Sequence, residues 1–413
     1  MLLNRESSSF WFIFIHMLLI TPGASALNFL TANKNTRSIV ARSPQSPWWE
    51  SLFNFYPDRW NRPSRGQQQS PPPTSFQAPE ATSAPSSPSA SGNCTQMRVR
   101  KEWRNIDRAG QKSYIDAVKC LLSKPSTLQP GTNRRRYDDF VYVHDRSRTT
   151  VHWTAPFLPW HRHFIYLQEM ALVECGYSGA LPRWDWTLDS GNITQAPVWS
   201  TDPETGFGTN GVDDTSGSDQ LSGGSVIDGA FANLELRYPD QHILERGFNS
   251  PDKFNQGGNT YGSQYYDDVA MSVVHSSQNF LNFRVAMEGT NPSTRGISAP
   301  GPHGTVHTII GGDMLPTVSR AFTFSHFVCT DYLNKIIHRI FFLHHANIDY
   351  HWAKWQNDSP GTRLTDYSGN TVQGRNVNNA RITDTLRFLN LGTDVQVRNA
   401  MDSSAFPYCY QYE

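Results

Sequence analysis

The chain has 413 residues, two to three typical domain lengths. Lysine plus arginine and aspartate plus glutamate stand at 36 each, so the net charge is zero, which excludes a general nucleic-acid binder that must displace counterions with a basic excess. A mean hydropathy of −0.53, with one apolar run approaching membrane length, excludes a multi-span membrane protein.

Residues 1–26 read as a cleaved export signal. Arg5 precedes the apolar run FWFIFIHMLLI at 10–20, and Ala24-Ser25-Ala26 fits a small-x-small cleavage site. The run is too short to span a bilayer, so secretion without stable membrane association is expected, against a membrane anchor as the competing reading. Residues 27–92 are rich in Pro, Ser and Gln and read as a disordered linker or propeptide, because they bury too little apolar surface to offset their ordering entropy. The cluster Trp48, Trp49, Phe53, Phe55, Tyr56 and Trp60 inside it fits a loose tether, with docking on the folded domain as the alternative.

From residue 93 to 413 the composition is that of one domain. Helical spacing runs through Trp103, Ile106, Tyr114, Ala117, Val118 and Leu121; YDDFVYVHD at 137–145 predicts a short helix. Pro159 precedes WHRHFIYLQEMALVEC, a long run of helix formers. Residues 200–265 are rich in Gly, Asp and Ser and read as surface loops, and helices are predicted at 303–310 and 340–356. The expected fold class is mainly α, with long decorating loops. Export fits five widely spaced cysteines, Cys94, Cys120, Cys175, Cys329 and Cys409: two disulfides and one thiol, in a pairing that stays open. Asn93, Asn192 and Asn357 begin glycosylation sequons, the last weakened by Pro360.

Histidine carries the chemistry. Of 14, 11 fall in 144–163 and 303–351. His303 and His307, four apart, share a helix face and can grip one metal ion. The apolar helix FFLHHANID offers His344 and His345 as further ligands. In the first cluster His144 is placed at the close of one helix, His152 after a short loop and His161 at the opening of the next; His163, two residues on, points about 200° away. Two histidine triads without thiolate or regularly spaced carboxylate are unlike zinc hydrolase or non-haem iron sites and suit copper cycling between Cu(I) and Cu(II). Two such centres match the two electrons that O2 needs to reach peroxide.

YDDFVYVH, HWTAPFLPWHRHF, PRWDWT, PHGTVHTIIGGDM and FFLHHANIDYHWAKWQ together resemble the type-3 copper proteins: tyrosinases, catechol oxidases and molluscan haemocyanins. The resemblance spans residues 94–413 and is closest to short secreted fungal members, through EWR…YIDAVKCL and ECGY. It implies a four-helix bundle around two copper ions, copper A on His144, His152 and His161, and copper B on His303, His307 and His345. It places His344 behind the second copper, gives Asp349 the role of orienting a ligand imidazole, and makes Trp184-Asp185-Trp186 part of the core. The implied reaction oxidises small o-diphenols or o-aminophenols with O2. In relatives that hydroxylate monophenols, an Asn beside the first copper-B histidine and a Glu hold a water; here the neighbour is Gly304, and Glu288 is the candidate Glu, with 14 residues between it and His303. Weak or absent monophenol hydroxylation is therefore expected. The competing classes are a full tyrosinase, an oxygen carrier, a catalytically impaired relative and, last, a zinc hydrolase.

The chain departs from the family where His338-Arg339 replaces an Asp-Pro and Tyr350 an Arg. No Cys stands between His144 and His152 for a thioether. PYCYQYE closes the chain like the family's Tyr-x-Tyr motif, leaving 27–92 as the candidate latency segment. Residues 318–339 fill a position where relatives have a shorter loop; one reading is a retained intron or faulty gene model, which would also explain the odd Cys329, and the other is a genuine segment with His326 and His338 as surface histidines. His242, His275, His326, His338 and His351 receive no role.

Overall fold

A computed structural model describes residues 92–212, 223–248, 262–289, 301–314, 339–375 and 377–413. The export signal with His16, the aromatic cluster of 27–92, Cys329, His326, His338 and all of 318–339 but Arg339 lie outside the described residues.

The protein is mainly α, as expected. The eight α-helices among the described residues are α1 (Arg108–Ser123), α2 (Arg136–Val151), α3 (Phe157–Val173), α4 (Asp268–His275), α5 (Phe280–Glu288), α6 (Pro302–Ile310), α7 (Phe341–Asn357) and α8 (Pro360–Arg363). Eight short strands pair two by two: β1 (Arg98–Arg100) runs parallel to β8 (Tyr410–Tyr412), while β2 (Gly224–Ser225) with β5 (Glu245–Arg246), β3 (Glu235–Leu236) with β4 (His242–Ile243), and β6 (Thr385–Leu386) with β7 (Val395–Gln396) are antiparallel.

Local chemistry sets the helix bounds. Asp107 caps α1 by accepting from Gly110 N–H, and the helix stops at Lys124, the residue before Pro125. Its buried stripe of Tyr114, Ala117, Val118, Leu121 and Leu122 packs on α2 and α3. Asp138 accepts from Arg135 N–H at 2.8 Å to start α2. Pro159 sits in the first turn of α3, where its missing N–H costs nothing. In α3 and α7, 13 and 14 of 17 residues are buried on nearly all sides, so these two helices form the centre. Trp160 stacks on Phe164 and Phe388 beside them, and Trp184 and Trp186 are fully buried core residues, as expected for that motif.

Three expectations need correction. The short helix of 137–145 continues to Val151, because RSRTTV contains no Gly or Pro to break it; His144 is therefore mid-helix and His152 caps that same helix with extended backbone. The 200–265 stretch is not mere surface: Phe207, Val226, Phe231, Leu244 and Arg246 are buried, and Arg246 donates to the carbonyls of Phe207, Gly208 and Thr209. Helices α4 and α5 are additions to the predicted elements, although Asp267 and Asn279 are ordinary N-caps for them.

The open cysteine pairing resolves into Cys94–Cys409 and Cys120–Cys175. The first joins the ends of the described fold beside the β1–β8 pair; the second fastens α1 to the end of α3.

Candidate metal centre

Four helices deliver the histidines. His144 projects from α2, His152 caps it, and His161 lies in the second turn of α3; their ligand nitrogens fall within 4.8 Å of one another. His303 and His307 come from α6, and His344 and His345 from the start of α7; these four also fall within 4.8 Å. The groups face each other. His161 stacks on His345 at a 4.3 Å ring separation, and His152 on His303 at 5.8 Å.

Backbone carbonyls choose the tautomers. His152 Nδ1 donates to Arg148 O at 3.0 Å, His161 Nδ1 to Phe157 O at 2.7 Å, and His307 Nδ1 to Met314 O at 2.8 Å. Each bond leaves Nε2 with a free lone pair facing inward. The His144 and His161 Nε2 atoms converge to 3.3 Å.

Electrostatics keep the rings neutral. Burial, reinforced by neighbouring imidazoles, holds His144, His161, His303, His344 and His345 well below the usual histidine range, and burial brings His152 and His307 down to about 4. Neutral imidazole is the form that binds metal. His303 Nε2, His307 Nε2 and both nitrogens of His344 and His345 are buried without a hydrogen-bond partner. Such orphaned polar atoms are costly unless something occupies them, so this donor set fits a metal pair.

The remaining site candidates behave differently. His344 shares the second group's reach, its ring stacking on His303 and standing edge-on to His307, with Trp186 on another side. His163 does turn away, bonding Tyr408 OH at 2.8 Å. Among the described residues the partners of Asp349 are arginines and tyrosines. Its carboxylate accepts from Arg162 Nε at 2.6 Å, from Tyr412 OH at 2.6 Å and from Tyr410 OH, with Arg100 at 3.5 Å. The charges of Arg162 and Arg100, with the two tyrosine hydroxyls, pull the carboxyl below its ordinary range despite burial. Asp349 thus locks α7 to α3 through Arg162, which also bonds the Ala400 and Met401 carbonyls and stacks on Trp352. No signal beyond the closing Tyr-x-Tyr pointed to Arg100 or Arg162.

Glu288 ends α5 with its backbone oxygen 3.8 Å from where a Cβ on Gly304 would stand. Its side chain accepts from Trp153 N–H and from Arg284 Nη1 at 3.2 Å. Trp153, one residue past His152, has φ of 52°, a left-handed conformation that costs on the order of 1–3 kcal/mol and that this bond helps to hold. Among the unassigned histidines, His242 bonds Asp313, and His275 and His351 bond each other at 3.0 Å. Tyr350, in place of the family Arg, carries the Arg183 guanidinium on its ring.

The comparisons agree with this geometry. Residues 134–358 match the family model of the common central domain of tyrosinase. The tyrosinase-like protein phomQ1 of Diaporthe leptostromiformis is 34% identical over 340 residues, covering 78% of each chain. N-acetyl-6-hydroxytryptophan oxidase ivoB of Emericella nidulans is 31% identical over 78% of this chain and 93% of its own. The solved structure of a mutant polyphenol oxidase from Thermothelomyces thermophila superposes with a TM-score of 0.59 at 26% identity, covering 77% of this chain and 89% of that one. Seven buried or half-buried imidazoles in two facing groups, on a chain with these relatives, make this protein a member of the tyrosinase family of type-3 copper oxidoreductases.

Proposed function

We propose that the protein oxidises o-diphenols or o-aminophenols to quinones or quinone imines with O2, and hydroxylates monophenols weakly or not at all. His144, His152 and His161 hold one copper; His303, His307 and His345 hold the other. His345 is preferred to His344 because its ring lies against His161, between the groups. When bound, the two coppers supply the one-electron couples by which one O2 and two diphenols become two quinones and two waters.

The chain's own part is to orient and to exclude. The carbonyls of Arg148, Phe157 and Met314 hold three imidazoles by their Nδ1 protons. Phe157 and Phe341 pack their rings against site histidines and keep water from them.

The observation that carries the substrate preference is the bare face at Gly304, whose Cβ position meets, among the described residues, nothing within 4 Å but the Glu288 backbone. No side chain there can share a water with Glu288. Burial outweighs the pull of Arg284 and pushes the Glu288 carboxyl of the metal-free fold up to about 8. Oxygen uptake by copper-loaded protein on a monophenol, a catechol and an o-aminophenol tests the reading: the last two are consumed, the first barely. Rapid, lag-free monophenol oxidation overturns it. Gly304→Asn, which the open space accommodates, raises the monophenol-to-catechol rate ratio about tenfold, part of what a positioned base supplies.

We further infer that the enzyme works outside the cell. Two disulfides suit an oxidising compartment, and no described helix is long and apolar enough to cross a membrane. Residues 93–413 form the catalytic domain in this reading, behind a removed signal and a linker or propeptide.

A further inference from the structure

The second histidine group has an anchor that the first lacks. After α6, Gly311 and Gly312 turn the chain with φ of 61° and 49° into the single 3-10 turn Gly312–Met314. Gly312 presses on the β5 backbone so closely that a Cβ there would lie 2.3 Å from Glu245 O. Asp313, 1% exposed, points its carboxylate at the same segment: Oδ1 accepts from His242 Nε2 at 3.0 Å, and Oδ2 from Glu245 N–H at 2.7 Å. The next carbonyl, Met314 O, accepts from His307 Nδ1.

We propose that Asp313 is a positioning residue for the second copper. It touches no metal and no substrate. It fixes the turn whose carbonyl selects the His307 tautomer and aims His307 Nε2 into the site. His152 and His161 need no such help, since each bonds the carbonyl four residues back. His307 instead depends on a carbonyl seven residues ahead, in a turn gripped by groups 71 and 68 residues away in sequence. Losing the grip frees the turn, lets the imidazole rotate and weakens one copper selectively, by the roughly 10–100-fold typical of lost outer-sphere partners.

This inference rests on the dicopper reading, and the test separates the two. Cu(I) affinity is measured by chelator competition on the full chain, with circular dichroism and thermal unfolding as checks of folding. Wild type binds two coppers; Asp313→Ala keeps one at native affinity and loses about 10–100-fold on the other. Asp313→Asn, which keeps an oxygen for Glu245 N–H, falls between. A wild type that binds fewer than two coppers overturns the dicopper reading itself. Two coppers on wild type with native affinity for both in folded Asp313→Ala, or equal weakening of both, overturns the role of Asp313 alone. If Asp313→Ala does not fold, Asp313→Asn decides by the same criterion, selective weakening supporting the role and its absence overturning it.

Discussion

The two histidine groups solve one problem by different means. The first is gathered within 18 residues, 144–161, on α2 and α3, and the tautomers of His152 and His161 are set by carbonyls of the helices that carry or end at them. The second is drawn from α6 and α7 with 36 residues between His307 and His344, and the carbonyl that anchors His307 is held by remote segments. A group built from local helix geometry is self-supporting. A group assembled across the fold inherits the tolerances of everything that supports it.

The largest effect should come from removing a ligand at the seam between the groups. His345→Ala loses one copper and drops catechol-driven oxygen uptake by more than the roughly 10–100-fold of an outer partner, while His344→Ala keeps two coppers per chain. Metal analysis of both variants checks this; the reverse pattern would exchange their roles and move the second copper toward Trp186.

Breaking the lock between the two central helices tests whether the groups keep their mutual distance through Asp349. Asp349→Ala leaves Arg162 a buried charge without its carboxylate partner, while Arg100 keeps Glu169, an expected loss of about 3–5 kcal/mol in denaturant unfolding. A loss below about 1 kcal/mol, the worth of an exposed pair, would mean that the α3–α7 packing stands without it.

The smallest effect treats the two groups alike and is read through acid. His152 and His307 are held at about 4 in the fold against about 6.5 unfolded, so each contributes stability that is whole above pH 6.5 and lost as pH falls through 4. The contribution is on the order of 3 kcal/mol for each. Thermal unfolding of metal-free protein between about pH 7.5 and pH 4 should show a falling Tm, and His152→Gln or His307→Gln should each flatten the fall. A pH-independent Tm would show that these rings are not buried as neutral groups.

Sequence reading located the histidines of both groups more readily than the segments that support them. HxxxH at 303–307 and the HH pair predicted helix faces, and both formed; the choice between His344 and His345 depends on resemblance, because adjacent residues on α7 both reach the group. Helix α2 outruns its predicted close because nothing in RSRTTV breaks it and Val151 at its end is buried. Asp349 reads as an imidazole partner in sequence because its real partners, Arg162, Tyr410 and Tyr412, converge from distant segments. Asp313 is only a letter inside GGDM until β4 and β5 fold onto it.

The bond between Cys94 and Cys409 spans 315 residues and encloses every histidine of the centre. In the chain-entropy view, closing so long a loop removes about 5–6 kcal/mol worth of freedom from the unfolded state. Its topological effect is separate. Residues 94–409 form a covalent ring, so a protease that cuts once in any exposed loop opens the ring without releasing a fragment. Both histidine groups stay tethered, and the nicked molecule loses neither half until the bridge is reduced or a second cut is made.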